Sequence, residues 1–115
     1  MSREHRLFLE DMLKACEKVI RFTQKFTREQ FVADEKTFDA VMRDLEIIGE
    51  AAKHIPPEVR AQHSDVDWRK IAGLRDVVIH EYFGIDIELI WDIITREIPA
   101  LLPRLNRILN EARKG

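Results

Sequence analysis

The sequence predicts an all-α protein: an antiparallel bundle of four main helices plus a short connector helix, in a single domain spanning residues 1–115. Three observations carry this. Apolar residues recur at spacings of three and four along nearly the whole chain, the signature of helices that each bury one face. No stretch alternates apolar and polar residues as a half-buried strand would. The breaks between periodic runs fall at proline, glycine and capping residues.

The first segment runs from about Arg3 to Phe26. Leu9, Met12, Leu13, Cys16, Val19 and Ile20 form its stripe, and Phe8, Phe22 and Phe26 widen that face. The second runs from about Asp34, a plausible N-cap, to His54. Its stripe is Phe38, Val41, Met42, Leu45, Ile48 and Ala52. Gly49 lies on the same stripe, where it costs helix propensity but lets another helix approach closely.

Pro56-Pro57 ends this segment, and Pro57 suits the first position of a short connector over PEVRAQH. Ser64 or Asp67 can cap a third long helix, from about Trp68 to Tyr82. Its apolar stripe is Trp68, Ile71, Ala72, Val78 and Ile79, and Gly84 beyond it suits a left-handed cap. Asp86 can cap the last helix, whose stripe is Ile87, Ile90, Trp91, Ile94, Ile98, Leu101, Leu102, Leu105, Ile108 and Leu109. Because its phase runs on across Pro99, one long helix kinked near Pro99 is expected, with a break there as the alternative.

Composition narrows the function. A formal net charge of -2 provides no global basic field for nucleic acid, so any such contact rests on a local patch. Arg104 and Arg107 make the tail locally basic, which suits a helix C-terminus or a role in holding a phosphate backbone. The lone Cys16 sits on an apolar stripe and reads as a buried thiol. No Cys/His spacing suggests zinc, no apolar run approaches a membrane span, and no signal-peptide pattern opens the chain. Together these point to a cytoplasmic protein with no metal, cofactor or membrane partner. Among the other histidines, His5 falls near a frayed terminus, His63 in the connector and His54 at a helix end, and none is assigned to catalysis.

The stretch RDVVIHEYFG, residues 75–84, departs from the pattern. Arg75 and Tyr82 occupy the apolar stripe of the third helix. Asp76 and His80, four apart, are neighbours on an adjoining face. Arg75 and His80 are five apart, roughly 140° around the axis, yet both can border one cleft. Each has a purely structural alternative. Arg75 can pair with a carboxylate of the first or second segment, His80 with Asp76, and Tyr82 can be a core residue with a wet hydroxyl.

Taken together they suit phosphodiester chemistry on RNA, which carries its own 2′-hydroxyl nucleophile. An imidazole with a pKa of about 6.5 exchanges protons near neutrality. Arg75 stays charged and can hold the phosphate, and Asp76 can orient His80. Transesterification wants both a base and an acid, but the motif provides one histidine per chain. A two-fold dimer that apposes two copies would supply the second.

RDVVIHEYFGID resembles the Arg-x4-His-x-Tyr motif of HepT-like toxins in the HEPN superfamily. Asp76 fills the polar position after the arginine. The flanks DWRKIAGLRD, GIDIELIWDII and IPALLP are similar too, and the likeness extends through the helical layout. The resemblance implies a homodimer whose two motifs face a shared cleft. It implies a metal-independent endoribonuclease, with Arg75 and His80 catalytic and RNA as substrate. It also implies a toxin–antitoxin pair with a minimal, MntA-like nucleotidyltransferase, which transfers AMP from ATP onto Tyr82. Some HEPN relatives act only as binding partners of nucleotidyltransferases, so a non-catalytic docking module is the alternative.

Overall fold

Periodic apolar stripes become helices throughout the computed structural model, which describes residues 1–81, 84 and 86–114, with the side chains at 80, 81 and 114 outside that description. In chain order these are α1 (Arg3–Thr23), α2 (Arg28–Ala33), α3 (Glu35–Lys53), α4 (Pro57–Gln62), α5 (Trp68–Ala72), α6 (Leu74–Glu81), α7 (Ile87–Asp92), a π-helical turn (Ile93–Glu97) and α8 (Ile98–Lys114). No strand occurs among the described residues, and no helix among them is long and apolar enough to cross a membrane.

The direction of the main helices follows from their contacts. Phe8, early in α1, stacks on His54 at the end of α3, so these two helices run antiparallel. Glu10 of α1 faces Arg113 of α8, while Ile20 and Thr23 line a groove with Ile94 and Pro99, so α1 and the last helix also run antiparallel. Asp65, just before α5, pairs with Arg104 and Arg107, whereas Lys70 within α5 reaches Glu97. The third helical region therefore descends against the last. These pairings also tie down Arg104 and Arg107, for which the sequence had left a phosphate-binding role open.

The inward faces are those expected from periodicity. Leu9, Met12, Cys16, Val19, Met42, Leu45, Ile48, Ile90, Ile98, Leu105 and Ile108 are fully buried. Such burial, at about 1.5–3 kcal/mol per large apolar side chain, is the main stabilising term. Burial also pushes the Cys16 thiol up to about 12, helped by the nearby charges of Glu17 and Asp44.

The structure corrects several boundaries. The first helix stops at Thr23, whose hydroxyl turns back to donate to the carbonyl of Val19 at 2.7 Å. A separate short helix follows. Thr27 and Gln30 form a reciprocal capping box at its start, and Phe31 is fully buried against Phe38 and Trp91. The expected third helix is two: α5 ends at Gly73, and α6 begins at Leu74. The left-handed cap expected at Gly84 involves residues 82, 83 and 85, which lie outside the described residues.

Asp34, Asp67 and Asp86 do cap α3, α5 and α7, and Pro57 opens α4. The irregularity expected near Pro99 is the π turn just before it. There the Ile98 N–H reaches past its usual partner to the carbonyl of Ile93. Pro99 has no N–H to donate to Thr95, so the α ladder is interrupted at this point.

Candidate active site

The end of α3 and the start of α6 form the platform on which the motif stands. A methyl group at Gly49 would lie 2.6 Å from the backbone nitrogen of Arg75, 3.2 Å from its Cβ and 3.3 Å from the carbonyl oxygen of Ala72. Only hydrogen fits there, so the missing side chain lets the α6 backbone press onto α3 at Arg75. Arg60 of α4 secures the other end of this turn. Its Nε donates to the Ile55 carbonyl at 2.9 Å and an Nη to the Ala52 carbonyl at 2.7 Å, which ties α4 to the carbonyls where α3 stops.

Arg75 itself is half-exposed, with 41% of its side-chain surface open to solvent. Its Nε lies 3.4 Å from Glu50 Oε2. The carboxylate partner on the second segment that the sequence left open for Arg75 is thus present. It engages one edge of the guanidinium and does not bury it. The other Glu50 oxygen, Oε1, lies 3.6 Å from His54 Nε2. The His54 ring stacks on Phe8, with centroids 4.6 Å apart and planes 9° from parallel. A relay of contacts therefore runs from α1 through α3 to α6. The sequence alone does not single out Glu50, and His54 reads there as a helix-end residue. The available signal was the i,i+4 spacing of Glu50 and His54, but no sequence pattern points from there to Arg75.

Asp76 is exposed on α6. The backbone at 80 continues the same helix, so positions 76 and 80 share a face. The His80 side chain and Tyr82 lie outside the described residues. Ile79, expected in the core, is instead 44% exposed. It lies four residues after Arg75, on the same side of α6. Buried Ile71, Leu74 and Val78 continue one stripe through Gly73, and Ile79 lies about a quarter-turn from its centre, facing solvent. An apolar side chain thus stands in the open beside the arginine. Among the described residues, no cluster of His, Cys, Asp or Glu has the geometry to hold a metal ion.

The model of the family described as "Ribonuclease HepT-like" matches residues 12–108. A protein of Thermococcus cleftensis named "Probable ribonuclease HepT" is 41% identical over 108 residues, covering 94% of this chain and 98% of that one. A protein of Caldanaerobacter subterraneus subsp. tengcongensis, provisionally named as an RNase, is 45% identical over 106 residues, covering 92% and 95%. Another of Methanocaldococcus jannaschii, also provisionally named as an RNase, is 39% identical over 110 residues, covering 96% and 91%. No solved structure gave a significant match.

Proposed function

Since the chain belongs to the ribonuclease HepT-like family, we propose that it is a metal-independent endoribonuclease and the toxin of a toxin–antitoxin pair. The observation that carries this reading is the half-exposed Arg75, with Glu50 on its Nε side, standing on a glycine-tightened platform in the same short helix as His80. A permanently charged planar fork on an open surface is suited to gripping a phosphodiester.

The 2′-oxygen of the RNA forms a bond to phosphorus as its proton passes to one imidazole. The bond from phosphorus to the 5′-oxygen breaks, and a second imidazole protonates the leaving group. A 2′,3′-cyclic phosphate and a 5′-hydroxyl result. Arg75 holds the non-bridging oxygens as negative charge grows on them. Asp76, one helical turn before His80, orients the base.

The two imidazoles come from a homodimer. Neutralisation is by a nucleotidyltransferase partner of the MntA-like class. The Tyr82 oxygen attacks the α-phosphorus of ATP and pyrophosphate leaves. The adenylate then stands two residues from His80, where its bulk and negative charge keep RNA out.

The test is cleavage of RNA in EDTA by purified unmodified protein, comparing wild type with Arg75→Ala and His80→Ala. Loss of cleavage in both, with folding and dimerisation intact, is expected. Full cleavage by both folded variants refutes the catalytic assignment. An inactive wild type that still binds a nucleotidyltransferase establishes the docking-module alternative instead. Intact mass after co-expression with the nucleotidyltransferase tests the modification: adenylate increments are expected, and they vanish in Tyr82→Phe.

A further inference from the structure

Glu50 sits beside Gly49, where the backbones of α3 and α6 come into close contact. Gly49 brings the Arg75 backbone into contact with α3, and the next residue along α3 presents its carboxylate to that same arginine. Each carboxylate oxygen faces a different cation-forming partner: Oε2 the Nε of Arg75 at 3.4 Å, and Oε1 the Nε2 of His54 at 3.6 Å. His54 is placed independently. It caps α3, with its backbone N–H directed at the Ala51 and Ala52 carbonyls, and its ring lies flat on Phe8.

Arg75 and Glu50 remain 41% and 49% exposed, so their attraction is worth little as a stabilising bridge. Its consequence is geometric. A guanidinium presents its donors along distinct edges of a rigid plane. A partner on the Nε side sets the plane's direction and leaves the Nη side to meet a ligand.

We propose that Glu50 is a positioning residue for Arg75, its carboxylate drawing the Nε side of the guanidinium toward α3 so that the opposite edge meets the scissile phosphate. This rests on the reading of Arg75 as the phosphate-holding group. It has a distinctive consequence. A carboxylate near an incoming phosphate repels it, so Glu50 does not favour ground-state binding and acts on the reaction step.

The experiment compares Glu50→Ala and Glu50→Gln in single-turnover RNA cleavage, beside the Kd for a non-cleavable 2′-deoxy oligonucleotide. Glu50→Ala is expected to lower the saturated cleavage rate about tenfold, with the Kd unchanged or tighter. Glu50→Gln, which keeps an acceptor oxygen for Nε–H, recovers the rate to within about threefold of wild type. Cleavage by Glu50→Ala at the wild-type rate overturns the proposal. So does a rate loss of equal size in both variants, or one that appears wholly in the Kd.

The Arg75 Nε–H cross-peak in a 1H–15N spectrum, assigned by its loss in Arg75→Lys, provides a readout independent of activity. It should be sharp in wild type and Glu50→Gln and broadened in Glu50→Ala. An unchanged cross-peak in Glu50→Ala overturns the positioning role, also where Glu50→Ala is too unstable for kinetics. A wild type that cuts no RNA yet loses the cross-peak on Glu50→Ala refutes the nuclease reading while leaving the contact intact.

Discussion

Gly49→Ala is the substitution for which the structure provides the most arithmetic. The added methyl would stand 2.6 Å from the Arg75 backbone nitrogen, with the Arg75 Cβ and the Ala72 carbonyl oxygen also closer than 3.4 Å, at 3.2 and 3.3 Å. Favourable contacts between heavy atoms begin at about 3.5 Å, so the overlap with the nitrogen is about 0.9 Å. The obstacle is backbone, which cannot rotate aside. Helix α6 must therefore move away from α3 by most of an ångström, taking Arg75 with it.

Alanine improves helix propensity by up to about 1 kcal/mol. Overpacking of this kind costs about 1–3 kcal/mol. The expected net loss is up to about 2 kcal/mol, equivalent to a melting temperature lower by up to about 8 °C in a domain of this size. Activity should fall further than stability, because a displacement near 1 Å at a group that grips the reacting phosphate can cost about 100-fold. Urea melts followed by circular dichroism, and single-turnover cleavage at 25 °C where the variant is still folded, measure the two effects separately. A variant as stable as wild type that cuts RNA at the wild-type rate would refute the claim that close helix approach at Gly49 sets the position of Arg75.

Three further outcomes are expected. The Cys16 thiol, fully buried and pushed up to about 12, should resist alkylation at pH 8.5 until the protein is unfolded. Because its folded pKa exceeds its unfolded one, its favourable contribution is complete below pH 9 and is lost as pH rises toward 12. Alkaline urea melts of wild type and Cys16→Ala should converge over that window. Asp44 is 6% exposed, and burial raises its carboxyl against the opposing pull of Lys18, Arg43 and Arg21. The stability linked to this raised pKa is present in acid and lost as pH rises, so Asp44→Asn should lift the melting temperature at pH 7. The gain should shrink as pH falls toward 4, and an equal gain at both pH values would contradict it. Thr27→Ala removes the reciprocal cap on α2 and should cost about 1 kcal/mol in urea melts, whereas Thr27→Ser should retain most of it.

Much of the architecture was legible because burial and capping act locally. The stripe from Val41 to Ala52 is buried as its spacing predicts, and Asp34, Asp67 and Asp86 cap the helices they precede. The Thr27–Gln30 box was equally local and equally readable. The stretch between Phe26 and Asp34 is too short for apolar periodicity to mark a helix there. The phase of α6 was harder. A stripe drawn without Leu74 puts Ile79 in the core, whereas the buried set Ile71, Leu74 and Val78 has its centre about a quarter-turn away from Ile79, which faces solvent.

The sequence by itself determined the helical class, most boundaries and the chemical content of the motif: an arginine, an acid, a histidine and a tyrosine within eight residues. These follow from periodicity and residue chemistry, which neighbours along the chain already express. Only the tertiary structure decided what Arg75 touches. Its partner Glu50 lies 25 positions away, and the two meet because Gly49 lets two helices approach at that level, 3.4 Å separating carboxylate from guanidinium. Contact between distant segments depends on how the packed helices are phased and how closely they approach. Those are properties of the whole core, and no local pattern encodes them.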